Sequence, residues 1–339
     1  MRAWLEGVWY GLRPVPPLLR AAAVIYAALS VRVAAHRRRA AKRLPVPVIV
    51  VGNITAGGTG KTPLVIHLIG LLRARGLRPG VVSRGYGGRA PHYPLRVTAT
   101  TDPRHSGDEP LLIARRGGVP VAVAPDRVAA AKLLLDEGGI DVLIADDGLQ
   151  HYGLARDAEI CVVDGARGLG NGLLLPAGPL REPSARLDSV DLVIVNGGSW
   201  RPAKPVSAPV ADMRIGICDA VSLSNGLRRP LSRFADATVH AVAGIGNPER
   251  FFTALRQTGM GVVPHPFPDH HRFFASDLNF TGGQPVLMTE KDAVKCLPFA
   301  RDGWWMVPAD AEFDATAAAA VQQLFDRLGL VGNMAQQHG

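Results

Sequence analysis

The sequence predicts an α/β protein: a P-loop NTPase-like, doubly wound and mainly parallel sheet, followed by a second, smaller α/β domain. Three observations predict it. From Pro45 onward, short apolar runs alternate with helical stretches; the first run passes straight into a glycine-rich phosphate loop; and the alternation lapses once, between Gly197 and Phe234, before a second set begins. Strands apolar at every position are buried on both faces, the condition of a parallel sheet covered by helices. A chain of 339 residues also exceeds one compact core of average size, so two domains are expected.

The elements follow in order. Residues 1–44 form an N-terminal region whose uncharged apolar run, within "PPLLRAAAVIYAALSVRVAAHRRR", extends only from Ala21 to Val31. That is about half of the ~20 residues needed to span a bilayer. The region also lacks the charge-first order and small-residue cleavage site of a secretory signal. Trp4, Trp9 and Tyr10 precede the run, and Arg37, Arg38, Arg39, Lys42 and Arg43 follow it. Aromatics, apolar helix and basic cluster, in that order, suit a helix lying in the interface of an anionic leaflet. A helix packed on the protein's own core has a similar composition.

Residues 45–205 are expected to form the nucleotide-binding domain. "VPVIVVGN" reads as a buried strand, followed by a helix from Thr62 to Arg75; "RPGVVS" and "VPVAV" are further strands and "DRVAAAKLLLDEG" a helix; "IDVLIADD", "AEICVVDG" and "VDLVIVN" complete the sheet. Residues 206–236, after the Gly/Pro/Ser-rich "GGSWRPAKPVSAP", are expected to be a linker. Residues 237–339 then supply the smaller domain: "TVHAVAGIG", a helix from Pro248 to Thr258, "GVVPHPF", "PVLMTE", "WWMVP" and a last helix through "ATAAAAVQQLFDRL". The tail "NMAQQHG" is expected to fray.

The formal net charge of +9 favours polyanionic company such as nucleic acid, acidic lipid or phosphorylated substrates. Much of the excess sits in "HRRRAAKR", beside the apolar helix, and the chain has no aromatic-basic RNA motif, so nucleic acid is not expected as a partner. Cys161, Cys218 and Cys296 are widely separated and form no C-x-x-C pair, which argues against a zinc site or a disulfide framework.

The chemistry concentrates in a few loops. Thr55, Ala56, Gly57, Gly58, Thr59, Gly60, Lys61 and Thr62 fit the P-loop pattern except at the first position, where Thr replaces the usual Gly or Ala. The glycines let backbone N–H groups turn inward around phosphate oxygens. Lys61 supplies a charge for the β- and γ-phosphates, and the Thr62 hydroxyl can reach Mg²⁺. Pro63 stands where a helix tolerates a missing N–H, so the helix dipole begins directly behind the phosphates. Asp146 and Asp147 end an apolar strand, at the sheet edge where a metal bridging those phosphates belongs. Gln150 and His151 follow on the same loop.

In "HSGDEPLLIARR", Asp108 reads as an N-cap before Glu109 and Pro110, and equally as a carboxylate able to accept a hydroxyl proton. "LPAGPLREPSARL" carries Arg181 and Glu182; exposed, such a pair is worth little, but an Arg on a loop at the nucleotide edge stabilises charge in phosphoryl transfer. "FPDHHRF" places Asp269, His270 and His271 in the second domain, too few ligands for a zinc site unaided. "VAGIGNPERFF" is a less specific anion-site pattern, and "MTEKDAVK" brings Thr289, Glu290, Lys291 and Asp292 toward an interdomain cleft.

Taken in order, "VPVIVVGNITAGGTGKTP", "GVVSRGYGG", "GDEP", "DDGLQHYGLARD", "LPAGPLREP", "VIVNGG", "AGIGNPERFF", "PDHH" and "MTEKDAVKC" make the chain resemble the tetraacyldisaccharide 4'-kinase family, the lipid A 4'-kinases of Gram-negative bacteria. The ordered set spans most of the chain, and the Thr that opens the P-loop is part of it. The resemblance implies transfer of the γ-phosphoryl group of ATP to the 4'-hydroxyl of an acylated disaccharide 1-phosphate lipid, giving lipid IVA. It also implies ATP and Mg²⁺ as cofactors and a peripheral location on the cytoplasmic face of the inner membrane, against an anionic membrane surface. No protein partner is inferred.

Carried over residue by residue, the resemblance makes Asp108 the catalytic carboxylate and His270, the first of the pair, its partner. It assigns Thr55 to Thr62 to nucleotide, Thr62 with Asp147 and Asp146 to Mg²⁺, Arg181 to the transferring group and Glu182 to the nucleotide or metal. Since Asp108 and His270 lie in different domains, closure is expected before chemistry. The alternative is a membrane-associated, dimerising P-loop ATPase that acts as a switch. That class carries a signature Lys where this chain has Ala56, and has no use for "PDHH".

Overall fold

The computed structural model describes residues 2–331, so the tail "NMAQQHG" lies outside the described residues. The strands are β1 (Val48–Gly52), β2 (Pro79–Ser83), β3 (Leu95–Val97), β4 (Val121–Val123), β5 (Val142–Asp146), β6 (Ala158–Asp164), β7 (Leu192–Asn196) and β8 (Val210–Ile217). They continue with β9 (Ala220–Ser222), β10 (Arg228–Arg229), β11 (Thr238–Ala243), β12 (Gly261–Pro266), β13 (Val286–Thr289), β14 (Trp304–Val307) and β15 (Ala309–Phe313). The helices are α1 (Arg2–Trp9), α2 (Pro17–Arg39), α3 (Lys61–Ala74), α4 (Pro103–Ser106), α5 (Asp108–Gly117), α6 (Arg127–Asp136), α7 (Pro248–Arg256), α8 (Glu290–Cys296) and α9 (Ala315–Arg327).

Among the described residues the strands form two sheets. The larger has nine strands in the order β15-β8-β7-β6-β1-β5-β2-β4-β3. All neighbours in it are parallel except the two edges, β15 on β8 and β3 on β4. The β1, β5, β6 and β7 runs are buried at every position, as continuous apolar strands require. One face packs Ile49, Val51, Ile144 and Ile160 against Leu64 and Leu68 of α3, Leu111 of α5 and Phe325 of α9. The other packs Val50, Val82 and Leu143 against Val128, Ala131 and Leu134 of α6. The result is the three-layered, doubly wound architecture the alternation predicts. The smaller sheet runs β10-β9-β14-β13-β11-β12, parallel from β14 to β12, with its own cores around Phe234, Phe252 and Trp305 and around Phe273 and Trp304.

The division of the chain differs from the sequence expectation in two places. Residues 206–236, expected as linker, contain β8, which lies parallel to β7 inside the large sheet. The last helix, expected in the smaller domain, returns to the large unit: β15 pairs with β8, and Ala317, Val321, Leu324 and Phe325 of α9 join the large core. Burying a side chain the size of Phe325 is worth ~1.5–3 kcal/mol, so that apolar stripe settles which unit α9 joins. The physical reason for the miss is visible in β8 and β15. Both lie at the sheet's margin, their residues alternate between buried and partly exposed, and neither forms a continuous apolar run.

At the N-terminus, α1 docks on the loop before the second half of the sheet, with Trp9 Nε1 donating to the Pro176 carbonyl at 3.0 Å and Asn171 N to the Trp9 carbonyl at 2.7 Å. α2 is different. Of its 23 residues Ala23 is buried, while Leu18, Val24, Ile25, Leu29, Val31 and Val33 are exposed. By length and composition the whole helix is long and apolar enough to cross a membrane, although its uninterrupted uncharged run is only Ala21 to Val31. Little of it is covered by the protein, which removes the reading as a core helix.

Candidate active site

The phosphate loop leaves β1 at Asn53, and that side chain organises it. Asn53 Nδ2 donates to the Thr55 carbonyl at 2.8 Å and to the Gly57 carbonyl at 3.2 Å, while its Oδ1 accepts from Lys61 Nζ at 3.3 Å. Thr55, the residue that departs from the general pattern, is buried and forms an antiparallel bridge with Leu180; the next residue, Ala56, donates its N–H to the Pro179 carbonyl at 2.7 Å. The loop is therefore laced to the segment that carries Arg181. Gly57 and Gly60 have φ of +114° and +93°, and a Cβ on Gly60 would sit 2.4 Å from Asn196 Nδ2. Glycine is required there twice over.

α3 begins at Lys61 with Gly60 as N-cap and no side-chain cap, leaving its first N–H groups for an anion. Thr62 lies in that first turn. From the far side Asn196, at the end of β7, donates Nδ2 to the Thr59 carbonyl at 2.9 Å and accepts from Arg250 Nη2 of the smaller lobe at 2.9 Å.

Asp146 and Asp147 close β5 with opposite electrostatic fates. Asp147 takes φ +47°, which turns its carboxylate toward Lys61 Nζ (3.5 Å) and Arg181 Nη1 (3.2 Å). Burial alone would raise its pKa, but Lys61, Arg181 and Arg127 overcome that and hold it down at about 2. Asp146 is fully buried, and burial together with Glu109 and Asp147 pushes its carboxyl well above the ordinary range. Its Oδ2 accepts from Ser83 Oγ at 3.1 Å, while its Oδ1 has no hydrogen-bond partner. A buried carboxylate oxygen with no donor, beside a phosphate loop, is what a divalent cation would satisfy. Among the described residues no group of three or more His, Cys, Asp or Glu is placed to hold a metal by itself. Mg²⁺ does not need one, since it is usually held by one or two carboxylates together with substrate phosphates.

Asp108 is the first residue of α5, and Gly107 rather than Asp108 takes the N-cap position. Gly107 has φ +82°, and a Cβ there would lie 2.4 Å from the Tyr86 carbonyl, so the turn admits only glycine. It aims the buried Asp108 carboxylate across the cleft, where Oδ2 meets His270 Nδ1 at 3.3 Å and Lys295 Nζ at 3.5 Å. The two residues are 162 positions apart. Burial raises the Asp108 pKa, but the His270 hydrogen bond and the charges of Lys295 and Lys291 bring it below the usual carboxylate value. His270 itself sits at φ +61°, with the Tyr86 ring packed edge-on at 5.1 Å. The lobes touch at further points: Lys291 to Glu109 (3.1 Å), Arg116 to Glu290 (2.7 Å) and Arg167 to the Gly246 carbonyl (3.2 Å).

Most residues singled out in the sequence thus converge on one cleft. Glu182 lies in the same loop as Arg181, but its carboxylate is taken by Gln150 Nε2 at 2.7 Å and by the Tyr152 hydroxyl. It supports the loop through Gln150, which also reaches the Asn53 carbonyl at 3.1 Å. His271, the second of the pair, turns away to Asp277 at 3.1 Å.

Sequence reading missed Asn53, Asn196 and Arg127. The last is buried, donates to the Asp147 carbonyl at 3.3 Å, and is lowered to about 10 by burial against the opposing pull of Asp147 and Asp146. Its signal was slight: one Arg opening a helix directly after a strand, next to an Asp cap.

His151 accepts from the Arg127 backbone N–H at 3.3 Å. Burial, reinforced by Arg127, lowers its pKa from 6.5 to about 4. A histidine held neutral in the fold but protonated when unfolded contributes stability that is complete above its unfolded pKa. That contribution is lost as the pH falls from 6.5 toward 4. Urea unfolding across that window should show stability falling in the wild type and a flatter profile in His151→Asn, which keeps an acceptor and cannot titrate. Parallel slopes in the two proteins would show that His151 is not the titrating group.

A phosphate loop with an uncapped helix behind it, paired strand-end carboxylates, and a carboxylate–imidazole pair facing them from two lobes define a P-loop phosphotransferase. The comparisons with known proteins narrow this class. The family model LpxK, tetraacyldisaccharide-1-P 4'-kinase, matches residues 15–328, and the chain belongs to this family. It is 54% identical over 284 residues to the tetraacyldisaccharide 4'-kinase of Nitrosococcus oceani, covering 84% of this chain and 82% of that one. It is 49% identical over 325 residues to that of Alcanivorax borkumensis, covering 96% and 97%. The crystal structure of Aquifex aeolicus LpxK in complex with ATP superposes with a TM-score of 0.74 at 27% identity, covering 91% of this chain and 99% of that chain. The expected fold and kinase class are borne out, the chain is a kinase of lipid A biosynthesis, and the switch-ATPase alternative is not favoured.

Proposed function

We propose that this kinase uses ATP and Mg²⁺ to phosphorylate the 4'-hydroxyl of an acylated disaccharide 1-phosphate, with the residue roles below. The observation that carries the assignment is the Asp108–His270 contact across the two lobes, beside Asp269. A Cβ on Gly246 would stand 3.9 Å from Asp269 Oδ2 and 3.5 Å from Gly58 N of the phosphate loop. Backbone N–H groups of residues 57–62 and the N-terminus of α3 receive the phosphates, with Thr55 and Ala56 holding the loop in place, and Lys61 supplies a compact charge to them. Arg181, already paired with Asp147, steadies charge on the transferring group. Asp146, Asp147 and Thr62 would hold Mg²⁺, which when bound neutralises charge on the phosphate oxygens.

Asp108 is held below the usual carboxylate range, so it is ionised at neutral pH and a weak base. Its main work is therefore to align the sugar hydroxyl by accepting its hydrogen bond, and to take the proton late, once the bond to phosphorus is forming. That timing fits a loose transition state in which positioning and charge dominate. Separation of the lobes admits substrate, and their contact assembles the pair.

The test is transfer of label from ATP to purified disaccharide 1-phosphate in detergent, with Mg²⁺ present. Labelled lipid from the wild type supports the reading; ATP hydrolysis with no labelled lipid overturns it.

The exposed apolar residues of α2 and the basic cluster behind it support a peripheral site on the anionic cytoplasmic face of the inner membrane. The acylated substrate stays in that bilayer, and the helix is close to the chemistry: Tyr26 Oη donates to the Arg181 carbonyl at 3.0 Å. Deleting residues 1–43 should move the protein from the membrane fraction to the soluble fraction; unchanged partitioning would count against the helix as anchor.

A further inference from the structure

We propose that Lys291 is a positioning residue that sets the tautomer of His270, holding the ring proton on Nδ1 so that the ring donates to Asp108. This inference rests on the reading of Asp108 and His270 as the catalytic pair and assigns a third residue to it.

The argument is one of donors and acceptors. Lys291 Nζ lies 3.4 Å from His270 Nε2, 3.1 Å from Glu109 Oε1 and 3.1 Å from Asp269 Oδ1. An ammonium has three N–H donors and no acceptor, so those three partners match its full capacity. Two are carboxylate oxygens, which accept. The third is a ring nitrogen, and facing an ammonium it must present its lone pair rather than an N–H. A neutral imidazole whose Nε2 accepts carries its proton on Nδ1. Nδ1 is the atom that faces Asp108 Oδ2 at 3.3 Å.

The surroundings leave the other forms poorly served. With the proton on Nε2, the ring would point an N–H at an ammonium, and its Nδ1 lone pair at a carboxylate with nothing between them to share. A doubly protonated ring would likewise aim Nε2–H at Lys291. Asp269 Oδ1 stands 3.8 Å from Nε2, beyond hydrogen-bond distance, and is bound by Lys291. Lys291 is deeply enclosed and kept firmly cationic: burial disfavours its charge, but Glu109 and Asp269 more than restore it.

Both lysines that attend the pair come from α8. Lys295, one turn beyond Lys291, is anchored on Asp292 Oδ1 at 2.8 Å, and Asp292 Oδ2 in turn accepts from Gly244 N at 2.7 Å and Thr289 Oγ1 at 2.6 Å. Lys295 thus attends the carboxylate of the pair and Lys291 its imidazole. Through Glu109, the neighbour of Asp108 on α5, Lys291 also ties the ring to the opposite lobe. In this arrangement Nε2 is occupied, so His270 orients Asp108 and shuttles no proton.

The experiment is long-range ¹H–¹⁵N NMR on full-length protein labelled at histidine, in detergent at neutral pH, with His270 assigned by its loss in His270→Gln. The expected wild-type spectrum shows His270 protonated on Nδ1 and bare on Nε2. Lys291→Met frees Asp269 to accept from Nε2, so it should place a proton on Nε2, as the doubly protonated ring or in a mixture with the Nε2–H tautomer, and lower kcat about tenfold with KM little changed. Lys291→Arg, which retains a donor, should keep Nδ1–H and most of the rate. A wild-type ring protonated on Nε2 or on both nitrogens overturns the proposal, as does an unshifted Nδ1–H form in Lys291→Met. If Lys291→Met does not fold, the wild-type and Lys291→Arg spectra still decide. The tautomer is read without substrate, so a protein that shows Nδ1–H but labels no lipid leaves this proposal standing and removes the functional reading instead.

Discussion

Replacing Lys61 with Met is expected to lower kcat/KM by about 10³-fold or more in the lipid-labelling assay. The estimate follows from the weight that a single preorganised charge carries at a transferring phosphoryl group in a water-poor site. Lys61 is the cation built into the helix N-terminus that meets the phosphates, and its Nζ is buried, held by Asn53 and Asp147 rather than free to wander. Arg181 does not replace it, since its guanidinium approaches Asp147 from the opposite loop.

The variant should still fold: Asp147 keeps Arg181 and the Arg127 contact to its carbonyl, so the lost ammonium is only part of its compensation. A circular dichroism melt with a small drop in Tm, alongside the large loss of rate, separates chemistry from stability. Asp147→Asn should fall in the same range, because it removes the carboxylate proposed to hold the metal, whereas His151→Asn should cost far less. A Lys61→Met enzyme within tenfold of the wild type would sink the assignment of the loop as the phosphoryl-transfer site.

The second large effect is at the cleft's other wall. Asp108→Asn should reduce kcat by ~10²–10⁴-fold with a small change in KM, the range expected for a positioned proton acceptor. Asn preserves the volume but puts an amide where a lone pair must meet the substrate hydroxyl, and it offers His270 Nδ1–H a weaker acceptor. His270→Ala should cost less, since Asp108 keeps Lys295 at 3.5 Å and stays ionised.

The pH profile carries the same logic. The Asp108 pKa lies below its ordinary value, so the acid limb of kcat/KM should lie below the ordinary carboxylate range as well. A carboxylate with a depressed pKa is fully ionised above its unfolded value and is lost only as the pH falls through the folded one. With Mg²⁺ saturating, so that protonation of the Asp146 carboxyl does not limit the rate, rate loss beginning near neutrality would contradict a carboxylate held in this way. A His270→Ala enzyme as fast as the wild type would remove the imidazole from the pair.

The parts of the site that are local in sequence could be read there. Residues Thr55 to Thr62 lie between a buried strand and a helix, and the chain cannot place those glycines, that lysine and that helix start otherwise. Asp146 and Asp147 are legible for the same reason, as the ends of an apolar run. Arg127 and Asn196 were not, because each acts by a hydrogen bond into a loop remote in sequence; Asn53 acts within the phosphate loop but stands ahead of the Thr55–Thr62 pattern that marks it. Glu182 was assigned to the nucleotide side, but neither the Gln150 amide nor the Tyr152 hydroxyl that takes its carboxylate was anticipated. The domain plan failed at β8, β15 and α9, where half-exposed strands lack the continuous apolar run that marked the others.

What the sequence by itself determined was the α/β alternation, the phosphate loop, the strand-end carboxylates and the ordered motifs that carried the family. These depend on neighbours a few residues apart, where periodicity and backbone chemistry act. The resemblance paired Asp108 with His270, but tertiary structure alone put the two in contact, brought Lys291 to the far side of the same ring and returned the chain's end to the first sheet. Asp108 and His270 lie 162 positions apart, Cys218 and Asp310 92 and Arg116 and Glu290 174, while Lys291 and His270 are 21 apart but on separate segments of one lobe. They are set by how two packed lobes come together, and no spacing along the chain records that.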